Sequence, residues 1–266
     1  MNAFHFGPPD SPLFGIHHAP PMARDRRRGA VLCQPVGQEY IRSHRTFLQL
    51  ARQLAGVGWH VLRFDYSGTG DSAGESGEGN LERWESDIAA AVTELNDLAD
   101  IEETVLVGLR LGADLAAHAA AGIASARRLV LWEPLLDGAA WLAEMTRSQR
   151  KWERDHPEFA HGETTADAHH HLLGFPFPEA LRNELRTLTP ARLNTNPAAT
   201  VHLIANRASH TLDDFAARLT ELGCATHIDV IEEGRVWAKE SDLGSLLVPT
   251  ATVSRIATLL DGEAPA

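Results

Sequence analysis

The stretch Thr104-Val105-Leu106-Val107-Gly108-Leu109-Arg110-Leu111-Gly112-Ala113-Asp114 constrains the fold of this chain more than any other. Its first four residues are mostly apolar and β-branched, which suits a buried strand. Two glycines then bracket three residues, and an Ala-rich run from Ala113 to Ala126 follows, a composition that favours helix. Glycines at the junction of a strand and a helix leave the backbone free to turn sharply. Here the central residue is Arg110.

The rest of the chain alternates between strand and helix periods. Phe4, Phe6, Leu13, Phe14 and Ile16 among Gly and Pro predict a β-hairpin within the first 22 residues, and Ala30 to Cys33 a strand. Phe47, Leu50, Leu54 and Val57 recur at helical spacing, so a helix is expected from about Arg42 to the glycines at 56 and 58. A strand at His60 to Phe64 leads into the Gly-rich loop Asp65 to Ser72, in which Asp65 and Ser72 are expected to brace the turn. Asn80 can cap a helix carrying Leu81, Trp84, Ile88, Ala91, Leu95 and Leu98 on one face. Leu129 to Trp132 reads as a strand ending in Glu133-Pro134. From Asp137 to Pro190 the alternation breaks in a Trp-, His- and charge-rich segment that reads as a mostly helical insertion. It resumes with strand Thr200 to Ala205, helix Thr211 to Leu222, strand Ala225 to Ile231 and helix Pro249 to Leu260. Such alternation implies a largely parallel sheet covered on both faces.

Charge narrows the partners. A net charge of -12 argues against nucleic acid or an anionic membrane. Arg26, Arg27 and Arg28 form the only basic run and read as a solvated loop. No stretch approaches 18 apolar residues, and the start lacks a charged region followed by an apolar one, so a cytoplasmic protein is expected. Cys33 and Cys224 are too few for a disulfide framework. Among 14 histidines, His169, His170 and His171 are consecutive, and with His161 they read as a solvated face. No ligand spacing completes a metal site, so neither metal nor cofactor is expected.

Four stretches carry a family resemblance: Gln34 to Arg45 (QPVGQEYIRSHR), Val61 to Ser72 (VLRFDYSGTGDS), Val107 to Gly112 (VGLRLG) and Leu129 to Gly138 (LVLWEPLLDG). They resemble the α/β-hydrolase superfamily, nearest its serine-aminopeptidase-like branch, and within it the exosortase-A-associated hydrolases and relatives found beside biosynthetic clusters. The resemblance spans the first half of the chain and is weak from Trp141 to Thr195. It implies an α/β-hydrolase fold, with a mostly parallel eight-stranded sheet, helices on both faces and a helical cap. The core would be residues 1–136 and 191–266, and the cap insertion residues 137–190.

The resemblance also assigns the Gly-x-X-x-Gly turn as the nucleophile elbow, where working members carry Ser, sometimes Cys or Asp. Arginine stays protonated and cannot attack a carbonyl. The acid should follow strand Thr200 to Ala205, where Asn206-Arg207-Ala208-Ser209-His210 stands instead. The histidine should follow Ala225 to Ile231, where Glu232 to Trp237 contains none. The expectation is therefore a pseudo-hydrolase that acts on or binds an acyl or carboxylate small molecule in a biosynthetic setting. The alternatives are an inactive binding partner, or an esterase or thioesterase with a relocated nucleophile such as Cys33 or Ser72.

Two readings of Arg110 stand side by side. One is an ion pair with Glu133 at the end of the next strand. The other is an anion receptor, a guanidinium fork beside a helix N-terminus. Arg110 and Glu133 are the candidates for the reacting centre. Cys33, Gln34, Leu109, Leu111, His210 and Trp237 are the candidates for contact with the ligand. A homodimer is compatible with this reading.

Overall fold

The computed structural model describes residues 1–22, 27–157, 171–238 and 248–262. The chain runs β1 (Asn2–Phe6), β2 (Leu13–His18), β3 (Arg28–Cys33), α1 (Gln38–Gly56), β4 (Trp59–Phe64), α2 (Leu81–Ala99), β5 (Glu103–Leu109), α3 (Leu111–Ala120) and β6 (Ala126–Trp132). Then come α4 (Gly138–Asp155), β7 (His171–Leu172), β8 (Phe175–Pro176), α5 (Glu179–Arg186), β9 (Thr200–Ala205), α6 (His210–Glu221), β10 (Ala225–Val230) and α7 (Thr250–Asp261). Eight strands form one sheet in the order β1-β2-β4-β3-β5-β6-β9-β10. β1 and β2 are an antiparallel hairpin, β2 joins β4 antiparallel, and the other pairings in this sheet are parallel, while β7 and β8 form a separate antiparallel pair.

The central strands are near-continuous apolar runs because both faces of the sheet are covered. Ala30 and Leu32 of β3 face one layer, in which Phe47, Leu50 and Leu54 of α1 meet Val253, Ile256 and Leu260 of α7. Val31 and Cys33 face the other, with Trp84, Ile88 and Leu95 of α2, Leu115 of α3 and Leu219 of α6. Trp141, Leu142, Leu172, Phe177, Leu181 and Leu185 from the segment 137–190 belong to that same apolar cluster. Asn80 caps α2 as expected, its side chain accepting from the Arg83 N–H at 2.9 Å.

Several boundaries moved. α1 begins at Gln38, about a full turn before Arg42, where it is expected to start. Ala126 opens β6 instead of closing a helix, because it pairs with Thr104 across the sheet. Tertiary pairing overrides alanine's helix propensity there. Arg28 is no solvated loop residue but a buried part of β3, 5.4 Å over the Trp59 ring. Arg26, His161, His169 and His170 lie outside the described residues, while His171 opens β7 and is exposed. No helix among the described residues is long and apolar enough to cross a membrane.

Candidate functional site

β5 ends at the centre of the sheet and α3 starts two residues later, so the site sits on a single-residue corner. Arg110 forms that corner with φ 55 and ψ -127, a sparsely populated conformation for a residue with a side chain. Its N–H donates to the Trp132 carbonyl at 3.0 Å, which pins the corner to the end of β6. The flanking glycines are steric requirements. A Cβ on Gly108 would lie 2.4 Å from the Gly112 carbonyl oxygen, and one on Gly112 would lie 2.2 Å from that of Cys33. The first turn of α3 therefore rests directly on the carboxyl end of β3.

The expected Arg110–Glu133 ion pair is absent. Arg110 Nε donates instead to Glu39 Oε1 at 3.2 Å. Glu133 has φ 48, and its carboxylate is turned to the end of β9, where Oε1 accepts the Asn206 N–H. Glu39 lies on the first turn of α1 and is 2% exposed. The Trp141 indole N–H, from α4, donates to the same Glu39 oxygen at 3.2 Å. Burial pushes the Glu39 carboxyl up, and the charge of Arg110 pulls it back. Glu39 Oε2 is buried without a hydrogen-bond partner among the described residues. The Arg110 guanidinium lies 5.4 Å from the centre of the Trp237 ring, which itself meets Trp132 edge-on. Its Nε is engaged, while its two terminal amino groups form no hydrogen bond among the described residues.

Of the residues singled out from sequence, Trp237 is the one brought against Arg110. Cys33, Leu109 and Leu111 are fully buried in the core and form no open surface. Burial also pushes the Cys33 thiol up, against the thiolate a nucleophile needs. Gln34 is buried and donates to the Phe64 carbonyl at 2.9 Å, across to β4. His210 is exposed on the first turn of α6. Ser72 braces the Gly-rich loop: its hydroxyl donates to the Asp65 carbonyl at 2.6 Å and accepts the Phe14 N–H at 2.8 Å. Asp65 Oδ2 takes the Asp71 N–H at 3.1 Å. The family resemblance puts Glu39 in a loop flanking the elbow without giving it a role, and it does not single out Trp141. An acid two residues after Gly37 is the local signal for Glu39, since acids suit a helix N-terminus.

One turn beyond Arg110, Asp114 borders a cavity of about 10 Å³ that His118, Pro134, Thr189 and Phe215 also line, room for about one water. Burial pushes its carboxyl up to about 6, against the Leu135 and Leu136 N–H groups and the Arg110 charge. A carboxyl raised on folding holds its proton in the native state where the unfolded chain has lost it. The contribution of Asp114 is thus fully present at low pH and is lost as pH rises through about 6. Asp114→Asn keeps an acceptor for Leu135 and should be more stable than wild type at pH 7 to 8, by on the order of 1–3 kcal/mol. The gain should vanish towards pH 4. Urea melts across this range measure it, and a gain independent of pH would contradict the assignment.

The sheet order, the crossover helices and the strained corner after β5 define an α/β-hydrolase fold. The family described as "Serine aminopeptidase, S33" matches residues 39–169. Together with the fold, this match over just under half of the chain supports the α/β-hydrolase superfamily and its serine-aminopeptidase-like branch. It is similar to the Homo sapiens protein "Palmitoyl-protein thioesterase ABHD10, mitochondrial", 44% identical over 64 residues, which are 24% of this chain. The match covers only 20% of that protein's length. The Pyrococcus furiosus esterase Pf2001 superposes with a TM-score of 0.67 at 16% identity, over 98% of this chain and 90% of that one. Est1E from Butyrivibrio proteoclasticus, with ferulic acid bound, gives a TM-score of 0.67 at 14% identity, over 98% and 100%. At these identities the two structures speak for the fold alone.

Proposed function

We propose that this chain binds a carboxylate or acyl small molecule at the elbow, with Arg110 as the receptor, and does not perform serine-based hydrolysis. The observation that carries the reading is Arg110 itself, fixed in the corner by Glu39 through Nε, with no hydrogen bond to its terminal amino groups among the described residues. Those groups are the part of the guanidinium that grips a carboxylate in two parallel bonds. An incoming anion competes with Glu39 for one cation. Burial already favours the protonated form of Glu39, so binding should draw a proton onto it. The resemblance to proteins beside biosynthetic clusters makes carboxylated biosynthetic intermediates the first ligands to test. No histidine follows His227 in the sequence, so the triad's histidine is missing from its expected place after β10.

The test has two arms. Fluorophosphonate should leave the protein unlabelled, and p-nitrophenyl and acyl-CoA esters should hydrolyse no faster than in a blank. A carboxylate ligand should raise the melting temperature of wild type. Arg110→Lys, which keeps charge but loses the fork, should weaken that binding by on the order of 1.5–3 kcal/mol. Unchanged binding in Arg110→Lys and Arg110→Met would reduce Arg110 to a structural ion-pair residue.

The similarity to a thioesterase over 64 residues favours one second reading, thioester hydrolysis with a relocated nucleophile. Stoichiometric labelling of a single serine would establish it in place of the first.

A further inference from the structure

β10 is the last strand of the sheet, and no described strand pairs with its outer side. Sheet edges are commonly protected by proline, lysine or a bulge. β10 reads Ala-Thr-His-Ile-Asp-Val and pairs with β9 in unbroken register, with none of these. Ile228 and Val230 are 40% and 47% exposed, side by side on one face of this edge. The backbone phase is fixed. The N–H groups of Ala225 and Ile231 donate inward to Ala199 and Ala205 at 2.8 Å each. Alternation then turns the N–H and C=O of Thr226, Ile228 and Val230 outward.

We infer that β10 pairs antiparallel with β10 of a second copy of this chain, about a twofold axis at Ile228. Three symmetric registers satisfy the outward backbone groups, centred on residue 227, 228 or 229, and charge separates them. Centring on His227 sets it against its own copy, and centring on Asp229 opposes two carboxylates, which destabilises a strand pair. Centring on Ile228 places His227 of each chain opposite Asp229 of the other. These are non-hydrogen-bonded positions, where cross-strand side chains approach most closely. Asp229 already accepts from Arg255 of α7 at 2.9 Å, and the His227 ring stacks on His202 at 5.0 Å. The imidazole of the second copy would complete an Arg–Asp–His group on that face. On the other face, Ile228 meets Ile228 and Val230 meets Thr226, so the exposed apolar side chains are covered. Such an interface is isologous and closes at two copies.

Light scattering across a dilution series tests this, and wild type should show the mass of two 29.0 kDa chains at the concentrated end. Ile228→Pro removes an outward N–H that takes no part in the β9 ladder, and Ile228→Lys places a charge on the axis. Both should give monomers with unchanged circular dichroism. His227→Asp, which opposes two carboxylates, should weaken dimerisation at least tenfold. Ile228→Cys should oxidise to a covalent dimer, because residue 228 faces its own copy while Cys33 and Cys224 are buried. A wild type that stays monomeric throughout, or a dimer that survives both Ile228 variants, overturns the proposal.

Discussion

Glu39→Ala should lower stability by about 3–5 kcal/mol, the usual effect of removing one partner from a buried ion pair. Against the 5–15 kcal/mol typical of a whole domain, that is a large share. The magnitude follows from where the two charges lie. The Glu39 side chain is 3% exposed and that of Arg110 12%, so neither is well hydrated once its partner is gone. Deleting Glu39 also strips the Trp141 indole N–H of its acceptor. The reverse deletion behaves differently. In Arg110→Met the carboxyl loses the cation that opposed its burial, and its pKa rises further. A raised carboxyl pKa gives stability that is present at low pH and lost as pH rises. Arg110→Met should therefore be mild under acid conditions and increasingly harmful towards neutrality. Glu39→Ala should show the opposite trend, since it removes a carboxyl raised on folding while arginine keeps its proton throughout, so its loss should shrink as pH rises. Guanidinium melts of both variants at several pH values measure this. A loss below about 1 kcal/mol for Glu39→Ala would place the pair among surface ion pairs of little consequence.

That pair also marks the limit of what the sequence reveals. The elbow was legible because its determinants are local: an apolar β-branched strand, two glycines at fixed spacing and an alanine-rich start to the next element. The strands at Thr200 and His60 were legible for the same reason. The role of Glu39 was not, although it is the residue that fixes Arg110. Its helix announces itself through Phe47, Leu50 and Leu54, and the first turn from Gln38 to Ile41 adds nothing to that periodicity. The contact spans 71 residues, and the Trp141 contact spans 102. No pattern of nearest neighbours encodes either. Glu133 seemed the natural partner because it ends the adjacent strand. Its left-handed backbone turns it to Asn206 instead, and a φ of 48 at a glutamate is invisible in composition. Trp237 stood out in the sequence and does reach the guanidinium, yet in the core layer of α1 and α7.

Gly112→Ala should cost more than 4 kcal/mol, in the range reserved for severe steric or polar defects. The added methyl would meet the Cys33 and Gln34 carbonyl oxygens at 2.2 and 2.5 Å and the Cys33 carbonyl carbon at 2.7 Å. All three are backbone atoms of β3 and its exit, so no side chain can rotate aside. The clash can be relieved only by lifting the first turn of α3 from the sheet. Leu111 and Ala113, both fully buried, would have to move with it. Gly122→Ala, just past the other end of α3, is the control. There the nearest atom to the new methyl is 3.6 Å away, an ordinary contact, and the change should stay within about 0.5 kcal/mol. The contrast separates the turn from the residue at its tip. If Gly112 sets the corner through backbone packing, the corner holds its shape whatever side chain stands at position 110. Arginine can then occupy the nucleophile's place without loss of fold, held by Glu39 and Trp237. Ligand binding by a folded residue of Gly112→Ala should fail together with stability, since lifting α3 carries Arg110 away from Glu39. A Gly112→Ala protein within about 1 kcal/mol of wild type would mean that the corner yields easily. The elbow would then not be what holds Arg110 in place.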